Sequence, residues 1–499
     1  MSDLKGEIVA RMRDEIGAID KEAPEAVALV YPSPYRVGMS SLGYQTIYRS
    51  INATEGRAAH RAFLPDDLQA WRQSRAPLVT YEKLRPVSDY PVLAFSVAYE
   101  AEVAGLIQCL ELAGIPPLAE ERTEHHPFIL AGGPLTFSNP LPLAPFVDAV
   151  VMGEADQSVH SVLSVVFGSN SKADAMRALS GHPHVFVPSM HGDILPPIDK
   201  AETTNLPAFS QIITPQTELR NMFLIEPERG CHRGCTYCVM RRSTNDGMRI
   251  VKKERILSLI PDRAKRVGLV GAATTDHPQI TDVVHALADS GREVGLSSLR
   301  ADRLDDDLMA ALRRGGHRIL TTASDGASQR MRDIIQRRTT EEQLRQAAEL
   351  ARRHGMKRMK LYIMVGLPNE TDDDIDELIE FGTELSSLIP LSLGVAPFVA
   401  KRNTPLDGAP FAGMPLVEAR LRRLRRGVRG RVDVRATSAR WAWVEYILAQ
   451  GGRAEGLAVL DAVHAGGRFS DWKRAFNALP KDRPRRLLVR PGDRLGRAS

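Results

Sequence analysis

The sequence predicts an α/β protein in three parts: a doubly wound, Rossmann-like N-terminal domain, a partial (βα)6 barrel of the TIM type, and a small α-helical C-terminal domain. Three observations predict it. Apolar runs alternate with helical patterns over the first ~200 residues, which is how a parallel sheet covered on both faces reads. A second series of six apolar runs follows, too few to close an eight-stranded barrel but enough for a curved, open one. Past about Pro405 strand signals fade and helical patterns take over. The implied boundaries are 1–190, a connector over 191–220, 221–405, and 406–499.

In the first part the expected strands are VALVYP from Val27, PVLAFSVAYE from Pro91, PFILAGGP from Pro127 and FVDAVVMGE from Phe146. MSSLGYQTIYRSI from Met39 and EVAGLIQCLELAG from Glu102 have the helical period and would cover the sheet. From His184 to Glu218 short apolar pieces and prolines read as a connector with room for one hairpin. The barrel strands are FLIEP at Phe223, VGLVG at Val267, VGLSSL at Val294, RILTTA at Arg318, KLYIMVG at Lys360 and LSLGVAPF at Leu391. Between the last pairs, Thr340 to Gly355 reads as a helix with Thr340 as N-cap and Gly355 as its stop.

A hydrophobic share of 43% and a charged share of 25% exclude a mostly disordered chain. No run approaches the ~18 apolar residues of a membrane helix, and the start lacks a secretory apolar core, so no membrane partner and a cytoplasmic location are expected. Net charge is +5, but arginine is spread along the whole chain, and charge alone does not favour a nucleic-acid partner. There are four cysteines, Cys109, Cys231, Cys235 and Cys238, and three fall within eight residues. A disulfide framework would spread them in pairs; a tight run without an export signal reads as metal or redox chemistry.

ERGCHRGCTYCVMRR follows directly on the apolar strand FLIE, so these cysteines stand on a loop at a strand's carboxyl end. Three thiolates suit iron, and a cubane held by three protein ligands keeps one iron open. Structural zinc asks for four closed ligands, and His232, adjacent to Cys231, would strain to share a tetrahedron with it. The Cys-x3-Cys-x2-Cys spacing in this setting resembles the radical S-adenosylmethionine superfamily, over roughly Phe223 to Pro405. The resemblance implies a 4Fe-4S cluster on Cys231, Cys235 and Cys238, with S-adenosylmethionine on the open iron as the source of a 5′-deoxyadenosyl radical. An external electron donor is implied with it.

The resemblance also assigns residues. Tyr237 holds the aromatic position that family members pack near the adenine, or is a plain wall of the cluster pocket. Gly271, Ala272 and Ala273 occupy the place for the methionine amino group, although the usual Gly-Gly-Glu is absent. Ser297, Ser298 and Arg300 resemble ribose and carboxylate contacts; the bland reading of Arg300 is a surface salt bridge. TTASDGASQRMRD from Thr321 is similar to a segment of enzymes related to methylthiotransferases, with Asp325 for the cofactor ammonium, Ser328 as a hydrogen-bond donor and Arg330 for the carboxylate. Gly366, Leu367 and Pro368 resemble the adenine-binding turn, or form a simple tight turn.

The N-terminal part resembles the cobalamin-binding-type domain that precedes the cluster domain in cobalamin-dependent radical enzymes. No Asp-x-His-x-x-Gly loop exists and the first histidine is His60, so the cobalamin implied would lack a histidine ligand. Ser96, Gly132, Gly133 and Gly153 are its candidate contacts, although tight βα turns need glycine too. The resemblance implies a cobalamin-dependent C-methyltransferase acting on a small molecule; a degenerate domain that only shields the site is the alternative. RNA modification of the methylthiotransferase kind competes, drawing on Arg420, Arg422, Arg423, Arg425, Arg426, Arg429 and Arg431. It is not favoured, because no aromatics interleave with that run and two further cluster cysteines are missing. A non-catalytic protein on a borrowed fold is the third class. Trp441, Trp443 and Tyr446 on a tail helix face either the pocket or a core.

Overall fold

A six-stranded sheet organises the N-terminal half of the computed structural model, which describes residues 2–241, 247–297 and 299–480. Its strands are β1 (Glu25–Tyr31), β2 (Arg57–Phe63), β3 (Val92–Ser96), β4 (Phe128–Gly132), β5 (Ala149–Val151) and β6 (Val185–Phe186), in the order β2-β1-β3-β4-β5-β6. The first five are parallel, and β6 adds antiparallel to β5. β1 is buried on both faces: Val27, Leu29 and Tyr31 join one core while Ala28 and Val30 are sealed on the other side. That is the doubly wound arrangement the alternating runs predict. Helix Leu42–Ala53, capped by Ser41, buries Tyr44, Tyr48 and Ile51 against the sheet.

β2 has no apolar signature, yet every residue of RAAHRAF is buried. Its polar side chains are matched internally: Arg57 with Glu25, His60 with Tyr90 and the Lys21 carbonyl, and Arg61 with Glu15 and Glu82.

Seven parallel strands and a hairpin make up the second half. β7 (Met222–Ile225) is followed by β8 (Glu228–Gly230) and β9 (Met248–Ile250), which pair antiparallel as a ribbon closing the cysteine loop. β10 (Arg266–Leu269) and β11 (Glu293–Leu296) complete a three-stranded sheet in the order β11-β10-β7. β12 (Ile319–Asp325), β13 (Arg358–Val365), β14 (Leu391–Pro397) and β15 (Val432–Ala436) form a second sheet in that order. Across the seam, the Leu299 N–H donates to the Thr321 carbonyl at 3.0 Å. On β13, Met359, Leu361, Ile363 and Val365 are buried, while the alternating Arg358, Lys360, Tyr362 and Met364 are more exposed on the opposite face. Helix Glu341–Arg353 begins at Thr340, whose hydroxyl and the Gln343 side chain form a reciprocal cap, and it stops before Gly355 in a left-handed conformation.

The chain divides into two compact units, Met1–Asn221 with Ile447–Ser499, and Met222–Tyr446. The C-terminal region is largely helical, and its residues are shared between the two units. Its first section supplies β15 to the second unit, and helices Arg453–His464 and Phe469–Asn477 belong to the first. The reason is local packing: Gly456 abuts the Pro142 carbonyl, and His464 reaches Glu111 at 2.8 Å. Tyr446 is buried against Phe411, with ring centroids 5.7 Å apart, so it serves the core, whereas Trp441 is half exposed. No helix among the described residues is long and apolar enough to cross a membrane.

Candidate active site

The cysteine loop leaves β8 at the carboxyl end of β7, the position at which parallel α/β folds place their chemistry. Cys231 and Cys235 are buried, Cys238 is half-buried, and all three are free thiols. Burial raises the pKa of Cys231, and it pushes Cys238 up to about 11. Burial thus favours the neutral form of Cys231 and Cys238, and binding of a cationic iron centre releases thiol protons. Among the described residues no three His, Cys, Asp or Glu side chains converge as they would around a single ion. A cubane asks for something different, three thiolates each on its own corner.

Three anchors hold the loop. The Thr236 N–H donates to the Ile335 carbonyl at 3.1 Å, and the Leu406 N–H donates to the Thr236 carbonyl. Arg233 grips Asp276 through two nitrogens at 2.9 and 2.6 Å, and His232 lies 3.7 Å from the same carboxylate. His232 is thus turned to Asp276, in line with its rejection as a fourth ligand. The Asp276 side chain is fully buried and also receives Arg303 at 3.1 Å, with Arg300 at 3.9 Å. Burial alone would raise its pKa, but Arg233, with Arg300 and His232 behind it, holds it below the ordinary value. Asp276→Ala removes the carboxylate that Arg233 and Arg303 share and leaves Asp302 as the remaining counter-charge to Arg233 and Arg300, at an expected cost of about 3 kcal/mol. Thermal melting should fall and iron retained after reconstitution should drop; unchanged values in both would refute the anchoring role.

Arg337 reaches the loop from the other side. It is ion-paired with Asp325 at 2.7 Å and donates to the Ala323 carbonyl at 3.1 Å, its charge close to Cys235, and the Tyr237 hydroxyl donates to the same Asp325 oxygen at 2.6 Å. Burial and the neighbouring carboxylate both raise the Tyr237 pKa. Asp325 sits at φ +62°, where the register of β12 against β13 shifts. A non-glycine residue in that region is strained, and here the strain aims the carboxylate between Tyr237 and Arg337.

Several sequence assignments change. Ser328 caps helix Gln329–Ile334 and donates to Asp374 at 2.6 Å, and Arg330 is ion-paired with the same Asp374. Both are committed to the start of helix Asp372–Leu388, so neither is aimed at a carboxylate ligand. Arg300 is buried and paired with Asp302 at 2.9 Å, which replaces the surface salt bridge. Ser298 lies outside the described residues. Gly366 adopts φ +85° and its N–H donates to Glu370, so the turn through Leu367 and Pro368 is fixed from beneath. Glu370 in turn holds Arg420.

At Gly271 the site holds something the sequence reading missed. A Cβ there would collide with the carboxylate of Glu228, whose Oε1 accepts the Ala273 N–H at 2.9 Å. Its one sequence signal is its place three residues before Cys231.

In the first unit Ser96 stands in register with Gly132 at the carboxyl edge of the sheet. Gly133, at φ +104°, has room for no Cβ because Val97 O lies 2.7 Å from that point, and Gly153, at φ +86°, is closed in the same way by Asp199. These two glycines answer the chain's own backbone, which removes them as an open cradle for a ligand.

Comparison with known proteins decides the family. Residues 43–188 match the family described as radical SAM proteins, N-terminal, and residues 225–382 match the radical SAM superfamily. The chain belongs to the radical S-adenosylmethionine superfamily. It is a radical SAM enzyme, and the family brings a 4Fe-4S cluster and S-adenosylmethionine as cofactors. An uncharacterised protein of Methanocaldococcus jannaschii is 26% identical over 396 residues, 77% of this chain and 80% of its own. An uncharacterised methyltransferase of Pyrococcus horikoshii is 22% identical over 52% of this chain and 58% of its own length. Among solved structures, the radical S-adenosylmethionine methyltransferase TsrM of Kitasatospora setae aligns with a TM-score of 0.54 at 12% identity, covering 79% of this chain and 76% of that one. The cobalamin-dependent radical enzyme OxsB aligns at 0.50 and 12%, covering 72% and 52%. These likenesses show the radical SAM fold. The donor set of this radical SAM chain fits the cluster: three free thiols on one loop, anchored through Thr236 and Arg233.

Proposed function

We propose that this radical SAM enzyme is a cobalamin-dependent C-methyltransferase of a small-molecule substrate, working in the cytoplasm, where thiols stay reduced, with an external electron donor. The observation that carries this reading is the pairing of a doubly wound sheet with a radical SAM barrel, the same pairing aligned in TsrM over 79% of the chain. TsrM has been solved with cobalamin and a [4Fe-4S] cluster bound, and also with tryptophan substrate. With its groups bound, such a site supplies a 5′-deoxyadenosyl radical from S-adenosylmethionine and a methyl group carried by cobalamin.

The residues of this chain have the following parts. Cys231, Cys235 and Cys238 hold the cluster. The Arg337 charge, close to Cys235, favours its more negative, reduced state, because charge near the ligand sulfurs tunes such centres. Gly366 and Pro368 form the turn that receives the adenine, and Tyr237 packs beside it. Arg300 lies near the carboxylate end. For the corrin, Ser96 and Gly132 remain as contacts, and His60 is held by Tyr90 and Lys21 and gives no ligand.

Support for an RNA substrate is weak: Arg420 is buried on Glu370, Arg423 is paired with Asp376, and no aromatic residues interleave with the exposed arginines that remain. Anaerobic purification with hydroxocobalamin tests the reading. About one corrin per chain is expected after cluster reconstitution; a reconstituted protein with full iron and no corrin spectrum overturns the methyltransferase half and leaves the radical core.

A further inference from the structure

We propose that Glu228 is the residue that receives the methionine amino group of S-adenosylmethionine, supplying from β8 the acid that Gly271, Ala272 and Ala273 do not carry. The inference rests on membership of the radical SAM superfamily and assigns a residue that the family's sequence pattern does not.

Glu228 is almost completely enclosed, with 1% of its surface exposed. Oε1 is accounted for by the Ala273 N–H at 2.9 Å and the Thr274 hydroxyl at 3.5 Å. Oε2 is buried and has no hydrogen-bond partner among the described residues, and no Lys, Arg or His there is ion-paired with the group. Burial pushes its pKa up to about 8. A buried acid with one oxygen lacking a partner costs free energy until a donor completes it. Arg229 next to it is turned to Glu226, at 2.8 Å.

Position narrows the missing partner. Gly271 opens the loop after β10, the place the family resemblance gives to the amino group, and the sequence there runs Gly-Ala-Ala with no acid. The Glu228 carboxylate fills the space where a Gly271 side chain would stand, so glycine is needed for the acid to be there. A primary amine offers the N–H donors that Oε2 lacks. Glu228 also stands three residues before Cys231, on the ribbon that carries the cluster ligands. A purely structural acid, present only to accept the Ala273 N–H, would leave Oε2 unexplained.

The test separates these two roles by ligand preference. Anaerobic equilibrium binding of S-adenosylmethionine and of an analogue lacking only the amino group is measured on reconstituted wild type, Glu228→Gln and Gly271→Ala. Glutamine keeps the acceptor for Ala273; the Gly271→Ala methyl displaces the carboxylate without removing it. Loss of a charged hydrogen bond should shrink the wild-type preference for the amino-bearing ligand by about tenfold or more in both variants. Affinity for the analogue, iron content and melting temperature should stay near wild type. Retention of the full preference in Glu228→Gln overturns the assignment of Glu228 alone. Failure of wild type with full iron to bind either ligand overturns the cofactor reading along with it.

Discussion

Alanine at any one of Cys231, Cys235 and Cys238 is expected to abolish stable cluster binding, and with it the formation of 5′-deoxyadenosine from S-adenosylmethionine under dithionite. On the proposed reading each thiol is the sole protein ligand for one corner of a cubane, so removal of one exposes a second iron to solvent. Neighbours do not offer a substitute: His232 is turned to Asp276, Tyr237 to Asp325, and Glu228 to Ala273. The measurement is iron and sulfide per chain after anaerobic reconstitution, alongside chromatographic detection of the nucleoside. Iron should fall several-fold and product to background. Cys109→Ala is the control, since that thiol is buried in helix Glu102–Leu112 of the other unit, and burial, with Glu102 nearby, raises its pKa. Wild-type iron and product in the triple alanine variant would end the radical reading.

That prediction could be drawn from the sequence because a Cys-x3-Cys-x2-Cys loop after an apolar strand is local information. The six barrel strands and the Thr340 cap are legible for the same reason: each is written in consecutive residues by period or by capping chemistry. What escapes is set by distant partners. Ser328 and Arg330 read as ligand contacts until Asp374, 44 residues beyond Arg330, is seen to occupy both. β15 is hidden because VDVRA alternates half-buried and exposed positions and gains its order from pairing with β14. Glu228 and Asp276 carry no motif, and their meaning comes from what encloses them. Gly133 and Gly153 show the converse case, in which a residue type that suits a ligand is explained by the chain's own close approach.

The hidden strand β2 carries the second large expected effect, because Arg61 in it holds the first unit's core charges together. Its side chain and those of Glu15 and Glu82 are essentially fully buried, with contacts of 2.7 Å to Glu15 and 2.6 Å to Glu82. The Tyr35 hydroxyl donates to Glu15 as well, and the Tyr48 ring lies 5.1 Å from the guanidinium. Arg61→Met keeps the volume and removes the charge, so two carboxylates are left facing one another in an apolar core. Breaking a buried pair in this way costs about 3–5 kcal/mol, which for a unit of this size lowers the melting temperature on the order of 10 °C. Calorimetry is the suitable probe, because two units can melt separately. Adding Glu15→Gln and Glu82→Gln to Arg61→Met should recover most of the loss, since neutral amides no longer need the cation. If the single variant melts within a degree or two of wild type, the ion triad is neutral in effect, and the register of β2 against β1 is held by Ala59, Phe63 and their apolar neighbours alone.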